Sequence, residues 1–144
     1  MFRSERRGSA LIEFAIVTPL LMLFVLGAAE FGRVYFAAIT VANAARVAAQ
    51  FGSQEGHNSD FPGMNAAAQA EAADLGTISN FPSNFCRCPD GTAPACTSGA
   101  TCAGFGAPEV FIKDSVVKSV SLIMKYPGFP ATITVSRVAV FRAQ

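Results

Sequence analysis

Four cysteines are the residues whose type and spacing most directly indicate a chemistry in this chain, either thiol oxidation or metal binding. Cys86, Cys88, Cys96 and Cys102 lie in a stretch rich in Pro, Gly, Thr and Ser. Their C-x-C and C-x5-C spacings lack the paired C-x2-C knuckles of a four-thiolate zinc site, and no C-x-x-C redox pair is present. The pattern therefore predicts two disulfides and an oxidising compartment, with a zinc site as the less favoured alternative.

The pairing of these cysteines stays open at this point. Cys86 and Cys88 are too close to bridge each other easily, which leaves Cys86–Cys102 with Cys88–Cys96, or Cys86–Cys96 with Cys88–Cys102. A short loop nested inside a long one is the simpler arrangement, so the first pairing is favoured.

No catalytic arrangement is recognisable in the sequence. The only histidine, His57, lies in the polar stretch Ser53–Gly63 without a nucleophile or second metal ligand within sequence reach, and a solvated loop residue is expected. Gly104-Phe105-Gly106 is a fragment and not a dinucleotide fingerprint, and no P-loop occurs. The formal net charge is +1, with scattered Lys and Arg. We therefore expect no enzymatic activity, cofactor, small-molecule substrate or nucleic acid.

Glu13 is the charge that most needs an explanation. It stands at the head of an apolar run, and no charged residue occurs between Phe14 and Ala29. A charge inside a membrane segment costs roughly 2.5 to 3.5 kcal/mol at the centre and less near the edge, and usually has a partner. A cut between Gly8 and Ser9 would create an α-amino group one helical turn before Glu13. The alternative is that Glu13 snorkels and only delimits the apolar segment.

The apolar run is long enough to cross a membrane. As a helix, Ser9–Ala29 would extend about 31 Å, close to the thickness of the hydrocarbon core. Three positively charged residues precede it, and Glu5 is the one negatively charged residue among them: Arg3, Arg6 and Arg7. An excess of positive charge marks the cytoplasmic side, so the N-terminus should be cytoplasmic and everything after Ala29 exported.

The helix is expected to continue beyond the span. Glu30–Phe51 contains no proline and is rich in Ala, so the sequence predicts one helix over 9–51, of about 65 Å. Gly52 should end it in the left-handed C′ position. Val34, Ala38, Val41, Ala45 and Ala48 recur on one apolar face. A second set of small residues would let another helix approach closely: Ala38, Ala42, Ala45 and Ala49. The alternative is that these alanines only favour helix formation.

Pro19 interrupts the backbone hydrogen bonding of this helix. It removes one donor and crowds the carbonyl of Ala15, which predicts a kink or a loosened turn. The neighbouring Thr18 hydroxyl could satisfy the freed carbonyl.

The N-terminal residues resemble a known family. GSALIEF resembles a class IV prepilin processing site, in which Gly8 precedes a mature helix with Glu at its fifth position. The run from Gly8 to about residue 50 resembles the TadE-like pseudopilins of the tight-adherence (Tad/Flp) type IVb pilus system, over roughly a third of the chain. The matching positions are Gly8, Glu13-Phe14, Pro19, Glu30-Phe31-Gly32-Arg33, Asn43, Ala44 and Arg46.

This resemblance implies a minor pilin that is made as an inner-membrane precursor. A prepilin peptidase would remove the leader, residues 1–8, and leave Ser9 as the mature N-terminus. Glu13 would assist processing or subunit docking by neutralising a terminal amine. The implied partners are that peptidase, other pilin subunits that pack through the helix, and the inner membrane, and the implied product is a thin adhesive pilus.

Two other interpretations of the N-terminus remain. The small residues Gly27 and Ala29 also fit a signal peptide that ends near Ala29, which would release a secreted or periplasmic disulfide-stabilised binding domain. Glu13, Pro19 and the unbroken helical pattern argue against that cut. A permanent, unprocessed single-span anchor is the third interpretation.

The remainder should form a small domain. The region 52–108 is loop-rich, with a short helix over 64–75 and the cysteine loop 86–102, and the region 109–144 is antiparallel β. Strands are predicted over Val110–Lys113, Ser115–Tyr126 and Ala131–Arg142, with a turn over Pro127–Pro130. The expected fold class is α+β: a long N-terminal helix, then a disulfide-stapled domain whose antiparallel β-hairpin or small sheet packs on the projecting half of the helix.

Overall fold

The computed structural model describes residues 5–97, 99–124, 128 and 130–143. In chain order the elements are α1 (Glu5–Gly52), α2 (Phe61–Glu71), a 3-10 turn (Ala73–Leu75), β1 (Ser79–Arg87), β2 (Glu109–Ser121) and β3 (Thr132–Arg142). A long N-terminal helix followed by a small antiparallel sheet and two disulfides confirms the predicted α+β class. The first four residues of the predicted leader lie outside the described residues.

The chain divides into two compact units, Met1–Tyr35 and Phe36–Gln144. The first unit contains the N-terminal part of α1, including Pro19. The second contains the end of α1, α2 and the sheet, so the last turns of α1 belong to the folded domain.

The sheet has β2 at its centre, antiparallel to β1 on one side and to β3 on the other. The β2–β3 hairpin was predicted, but β1 was not, because Ser79–Arg87 lies in the region expected to be loop. Its Ser and Asn residues have low strand propensity and it contains Pro82, which a strand tolerates mainly at a sheet edge. β1 is such an edge strand, and Pro82 lies opposite Asp114 of β2.

β2 is one continuous strand where two were predicted. The predicted strands Val110–Lys113 and Ser115–Tyr126 left Asp114 between them, whereas the structure pairs Asp114 on both sides, with Pro82 and Ala139. β2 ends at Ser121, and Leu122 donates to the carbonyl of Ala131 at 3.0 Å beyond it. Four residues at the predicted end of this strand and in the following turn lie outside the described residues: Lys125, Tyr126, Pro127 and Phe129.

The core of the second unit is built around small residues of α1. The stripe Ala37, Val41, Ala44, Ala45, Ala48 and Ala49 is at most 1% exposed, and its steps of three and four place it on one helical face. We call this set the alanine face. Val34 and Ala38, predicted on the buried face, are only half-buried. Ala45 and Ala49 are buried by this chain's own domain, so close packing on another helix, predicted for them, is not their role here.

Large side chains from α2 and the sheet complete this core. Met64 of α2 is fully buried, as are Ile112 and Val116 of β2. Ile112, Asp114 and Val116 alternate along β2 and therefore lie on one face of the sheet, which we call the inner face. Burial of each large apolar side chain stabilises the fold by about 1.5 to 3 kcal/mol.

Gly52 does not end α1 in the left-handed conformation that was predicted. It is the last residue of the helix and has no positive φ. Close packing explains the glycine instead, because a Cβ atom there would lie 2.6 Å from Sδ of Met64 and 2.9 Å from Cγ2 of Ile112. With its amide nitrogen turned toward the helix end, Asn58 donates to the Gly52 carbonyl at 2.9 Å and satisfies one of the terminal acceptors.

α2 begins three residues before the predicted start at Met64. Asp60 is its N-cap, and Asp60 Oδ1 accepts a hydrogen bond from the backbone N–H of Gly63 at 2.9 Å. Pro62 lies in the first turn, where a helix needs no backbone donor, and so belongs to the helix and not to the preceding loop.

Candidate functional site

The predicted processing site lies in the backbone of α1. The bond between Gly8 and Ser9 falls inside this helix, which begins at Glu5. Glu13 and Phe14 follow on the same helix with exposed side chains. An α-amino group on Ser9 would lie about one turn, roughly 6 Å along the axis, from Glu13, and positions four apart share a helical face.

The apolar part of α1 is not covered within its own unit. Each large apolar side chain from Leu11 to Leu26 is between 39% and 71% exposed. A helix that is apolar around its whole circumference is stable in a membrane or among other apolar helices, and not in water. By length and composition, α1 is the one helix among the described residues that could cross a membrane.

Pro19 lies inside α1, next to a threonine whose hydroxyl does not bind the carbonyl that the proline leaves without a donor. Thr18 Oγ1 donates to the carbonyl of Phe14 at 2.7 Å. The sequence predicted that Thr18 would satisfy the carbonyl of Ala15, which lies four residues before Pro19, but the hydroxyl reaches the carbonyl of the preceding residue. Such a bond to the fourth residue back is the usual local contact of a mid-helix Thr.

The first charged residue of α1 after Glu13 is Glu30. It begins the block Glu30-Phe31-Gly32-Arg33, which carries part of the family resemblance. Glu30 Oε2 lies 3.7 Å from Nη1 of Arg33, three residues on. The rings of Phe31 and Tyr35 stack with centroids 6.2 Å apart and are both largely exposed. Glu30 is only 8% exposed and lies next to the more exposed Arg33, while an exposed tyrosine is typical of the end of a membrane helix.

Both predicted disulfides are present, but with the less favoured pairing. Cys86 bonds Cys96 and Cys88 bonds Cys102, with Cα–Cα distances of 5.3 and 5.7 Å. The preference for nested loops was wrong, because the two bridges close overlapping loops with sequence separations of 10 and 14. Cys86 lies within β1, whereas Cys88 lies after the strand end, in a turn where the Gly91 N–H donates to the Cys88 carbonyl at 2.9 Å. All four cysteines are bonded, which leaves no thiolates for zinc.

A shallow cavity of about 310 Å³ lies beside the Cys86–Cys96 bridge. Two of its polar side chains are engaged, since the Asn84 amide donates to the carbonyl of Asn58 at 3.0 Å and lies 3.5 Å from Ser59 Oγ. We assign it to the packing of the cysteine loop on the segment between α1 and α2.

His57 is a loop residue between α1 and α2, as predicted, with 41% of its side chain exposed and two contacts with its neighbours. Its ring packs on Phe51 with centroids 4.5 Å apart, and its Nδ1 lies 3.4 Å from Oδ2 of Asp60. These contacts join the end of α1 to the N-cap of α2. Within the described ranges, no group of three or more His, Cys, Asp or Glu side chains could hold a metal ion.

Comparison with known proteins gives one match, and it falls on α1. Residues 8–50 match the family described as TadE-like protein. The matched range begins at the Gly8 of the predicted processing site and ends two residues before α1 does. The resemblance drawn from the sequence is thereby confirmed over these residues. No curated protein and no solved structure matches the chain.

Proposed function

We propose that this protein is a minor pilin (pseudopilin) of a Tad/Flp type IVb pilus system. The premise is that residues 8–50 are a TadE-like segment. The observation that carries the proposal is the coincidence of this match with a helix that is apolar and uncovered from Leu11 to Leu26. The role is structural: the helix holds the protein in the inner membrane and packs with other pilin subunits. It requires no catalysis.

The orientation follows from charge. Arg3, Arg6 and Arg7 precede the apolar segment, so the N-terminus stays in the cytoplasm and the sheet is exported. The two disulfides support this orientation, because such bonds persist in the oxidising periplasm and are rare in the cytosol.

Processing by a prepilin peptidase after Gly8 explains why a charged residue, Glu13, is tolerated at the start of the apolar segment. An amine freed on Ser9 would carry a positive charge about one turn from the carboxylate, in or next to an apolar medium where opposite charges attract strongly. In an assembled pilus the same carboxylate could instead meet the amine of a neighbouring subunit. Either pairing reduces the cost of a charge at the head of an apolar helix.

Mass spectrometry of the mature N-terminus, from inner membranes and from sheared filaments, tests this proposal. Ser9 as the first residue supports it. Glu30 as the first residue would instead establish the signal-peptide interpretation, and an intact Met1 the permanent anchor.

A matched pair of glycine variants sharpens the test. Gly8→Val should abolish the cut, so that residues 1–8 are retained. Gly27→Val should be processed normally, because a side chain at Gly27 meets no atom within 4 Å. Equal processing of the two variants would contradict cleavage after Gly8.

A further inference from the structure

Three buried oxygen acceptors without hydrogen-bond partners belong to two neighbouring side chains of the sheet, Asp114 and Asn80. Asp114 is 0% exposed, and neither oxygen of its carboxyl group has a hydrogen-bond partner among the described residues. The amide oxygen of Asn80 is also buried without a partner, although its amide nitrogen donates to Asn65 Oδ1 at 2.9 Å. A buried acceptor that is left unpaired costs about 1 to 3 kcal/mol, and more when it is charged.

The strand register brings these two side chains together. Asn80 of β1 pairs with Val116 of β2, two residues from Asp114, so both side chains lie on the inner face as diagonal neighbours. The Asn80 side chain is near enough to influence ionisation of the Asp114 carboxyl group. Asn80 also reaches α2 through Asn65, so the pair lies where β1, β2 and α2 meet.

Among the residues that the structure describes, no charged group is placed to compensate for Asp114. Its partners across the strands are Pro82 and Ala139, and the buried residues of α1 in this unit are alanines and one valine. Glu71 of α2 and Arg46 of α1 are exposed. Two cations share the inner face with Asp114, and each binds a backbone carbonyl elsewhere: Lys118 donates to Thr77, and the exposed Arg137 to Ser136.

A proton fits this pair better than a metal ion does. One carboxylate and one amide supply at most three oxygens, whereas Ca²⁺ takes six to eight. A single proton on Asp114 would neutralise the carboxylate and provide the donor that the Asn80 oxygen lacks.

We propose that the folded domain binds one proton at Asp114, whose carboxyl O–H donates to the amide oxygen of Asn80, so that mild acid tightens the junction of β1, β2 and α2. Deprotonation leaves a buried carboxylate whose loss of hydration outweighs the help that it receives from Asn80 and from the Ser115 N–H, and so loosens the same junction. An exported domain meets the pH of its surroundings, so this contact makes the stability of the domain responsive to that pH.

The direction of the pH dependence follows from burial. Burial raises the pKa of Asp114 from 3.8 to about 6, against weaker opposing effects of Asn80 and of the Ser115 N–H. Between these values the folded chain holds a proton that the unfolded chain has lost, so stability falls as pH rises. The contribution is complete below about pH 4 and lost once the pH has risen through about 6.

Thermal unfolding of the full chain in detergent micelles, measured from pH 4.5 to 8, tests the proposal. The melting temperature of the parent should fall by several degrees over this range. Asp114→Asn replaces the carboxyl group by a permanent donor of the same shape, so its melting temperature should be nearly constant and should exceed that of the parent at pH 7.5. Asp74→Asn, at an exposed aspartate outside the sheet, should keep the parental pH dependence.

Two outcomes would overturn the proposal. One is a parental pH dependence that persists unchanged in Asp114→Asn; the other is an Asp114→Asn variant less stable than the parent at every pH, which would show that the negative charge is needed. A second measurement, the carboxyl ¹³C shift of Asp114 in the parent, does not depend on folding of the variant. It should titrate near pH 6, and a midpoint below 4 would contradict proton binding.

Discussion

Gly52, at the end of α1, and Met64, in α2, approach so closely that a single added methyl group on Gly52 would lie 2.6 Å from the Met64 sulfur. The same methyl group would lie 2.9 Å from Ile112 Cγ2 on β2. Three elements of the domain therefore meet at a position where any side chain would have to displace its neighbours. The contact joins the end of the TadE-like segment to the rest of the chain.

Gly52→Ala should lower the free energy of unfolding of the domain by about 1 kcal/mol. Overpacking a core typically costs 1 to 3 kcal/mol, while Ala in place of Gly returns up to about 1 kcal/mol of helix propensity. The Met64 thioether can move aside, but the β-branched Ile112 is stiff. Thermal unfolding should show a melting temperature several degrees lower than that of the parent.

Gly32→Ala is the matched control, since a Cβ at this helical glycine meets no atom within 4 Å. Its melting temperature should equal that of the parent or exceed it. A Gly52→Ala variant that is more stable than the parent would show that α2 and β2 do not confine this position.

The two disulfides should differ in how readily they are reduced. Cys96 is exposed, whereas Cys88 and Cys102 are 3% and 5% exposed. Thiol–disulfide exchange requires access of a thiolate to a sulfur atom, so limiting dithiothreitol should open Cys86–Cys96 first. Alkylation followed by peptide mass spectrometry should therefore label Cys86 and Cys96 before the other pair.

Peptide mapping without reduction is the control for this order of reduction, and should recover the links Cys86–Cys96 and Cys88–Cys102. Loss of either bridge should lower the free energy of unfolding by about 3 kcal/mol, by the chain-entropy account for loops of this length. Earlier labelling of Cys88 and Cys102 would show that burial does not protect their bridge.

Glu13→Ala should abolish pilus assembly or maturation while the protein still inserts in the inner membrane. The variant removes the carboxylate that we pair with a terminal amine, but it makes the apolar segment more apolar and so does not weaken insertion. Membrane fractionation, N-terminal mass and filament counts would be measured together. Glu55→Ala, at an exposed glutamate outside the TadE-like segment, should leave all three unchanged. Normal piliation in Glu13→Ala would remove the main support for this role of Glu13.

The elements that could be predicted from the sequence are those with a strong local signal. α1 is long and rich in apolar and alanine residues, and the β2–β3 hairpin alternates over two long segments, so periodicity alone identifies both. The number of disulfides followed from the even cysteine count. The proposed roles of Gly8, Ser9 and Glu13 in processing rest on resemblance and on the charge argument, because such roles depend on a peptidase and not on this fold.

The features that could not be predicted depend on tertiary contacts. β1 has weak strand propensity and forms because β2 offers it a paired edge and the disulfides hold its end. Aspartate has a low strand propensity, so Asp114 predicts a break in the strand. In the structure it nevertheless lies in the central strand β2 and pairs with residues of both β1 and β3. From sequence alone, Gly52 fitted the preference for glycine just after a helix end. In the structure its small size instead allows contact with Met64 and Ile112, which lie 12 and 60 positions further along the chain.

The alanine face has a practical consequence for the exchange of modules between chains that carry a TadE-like segment. It lies within the matched residues 8–50, yet it forms one wall of the core of the second unit. A chimera that joins this sheet to the helix of another such chain at residue 52 would therefore lose that wall. A transplantable module must start no later than Phe36, and recombination between the genes for such chains should tolerate crossovers upstream of that codon better than crossovers inside the alanine face.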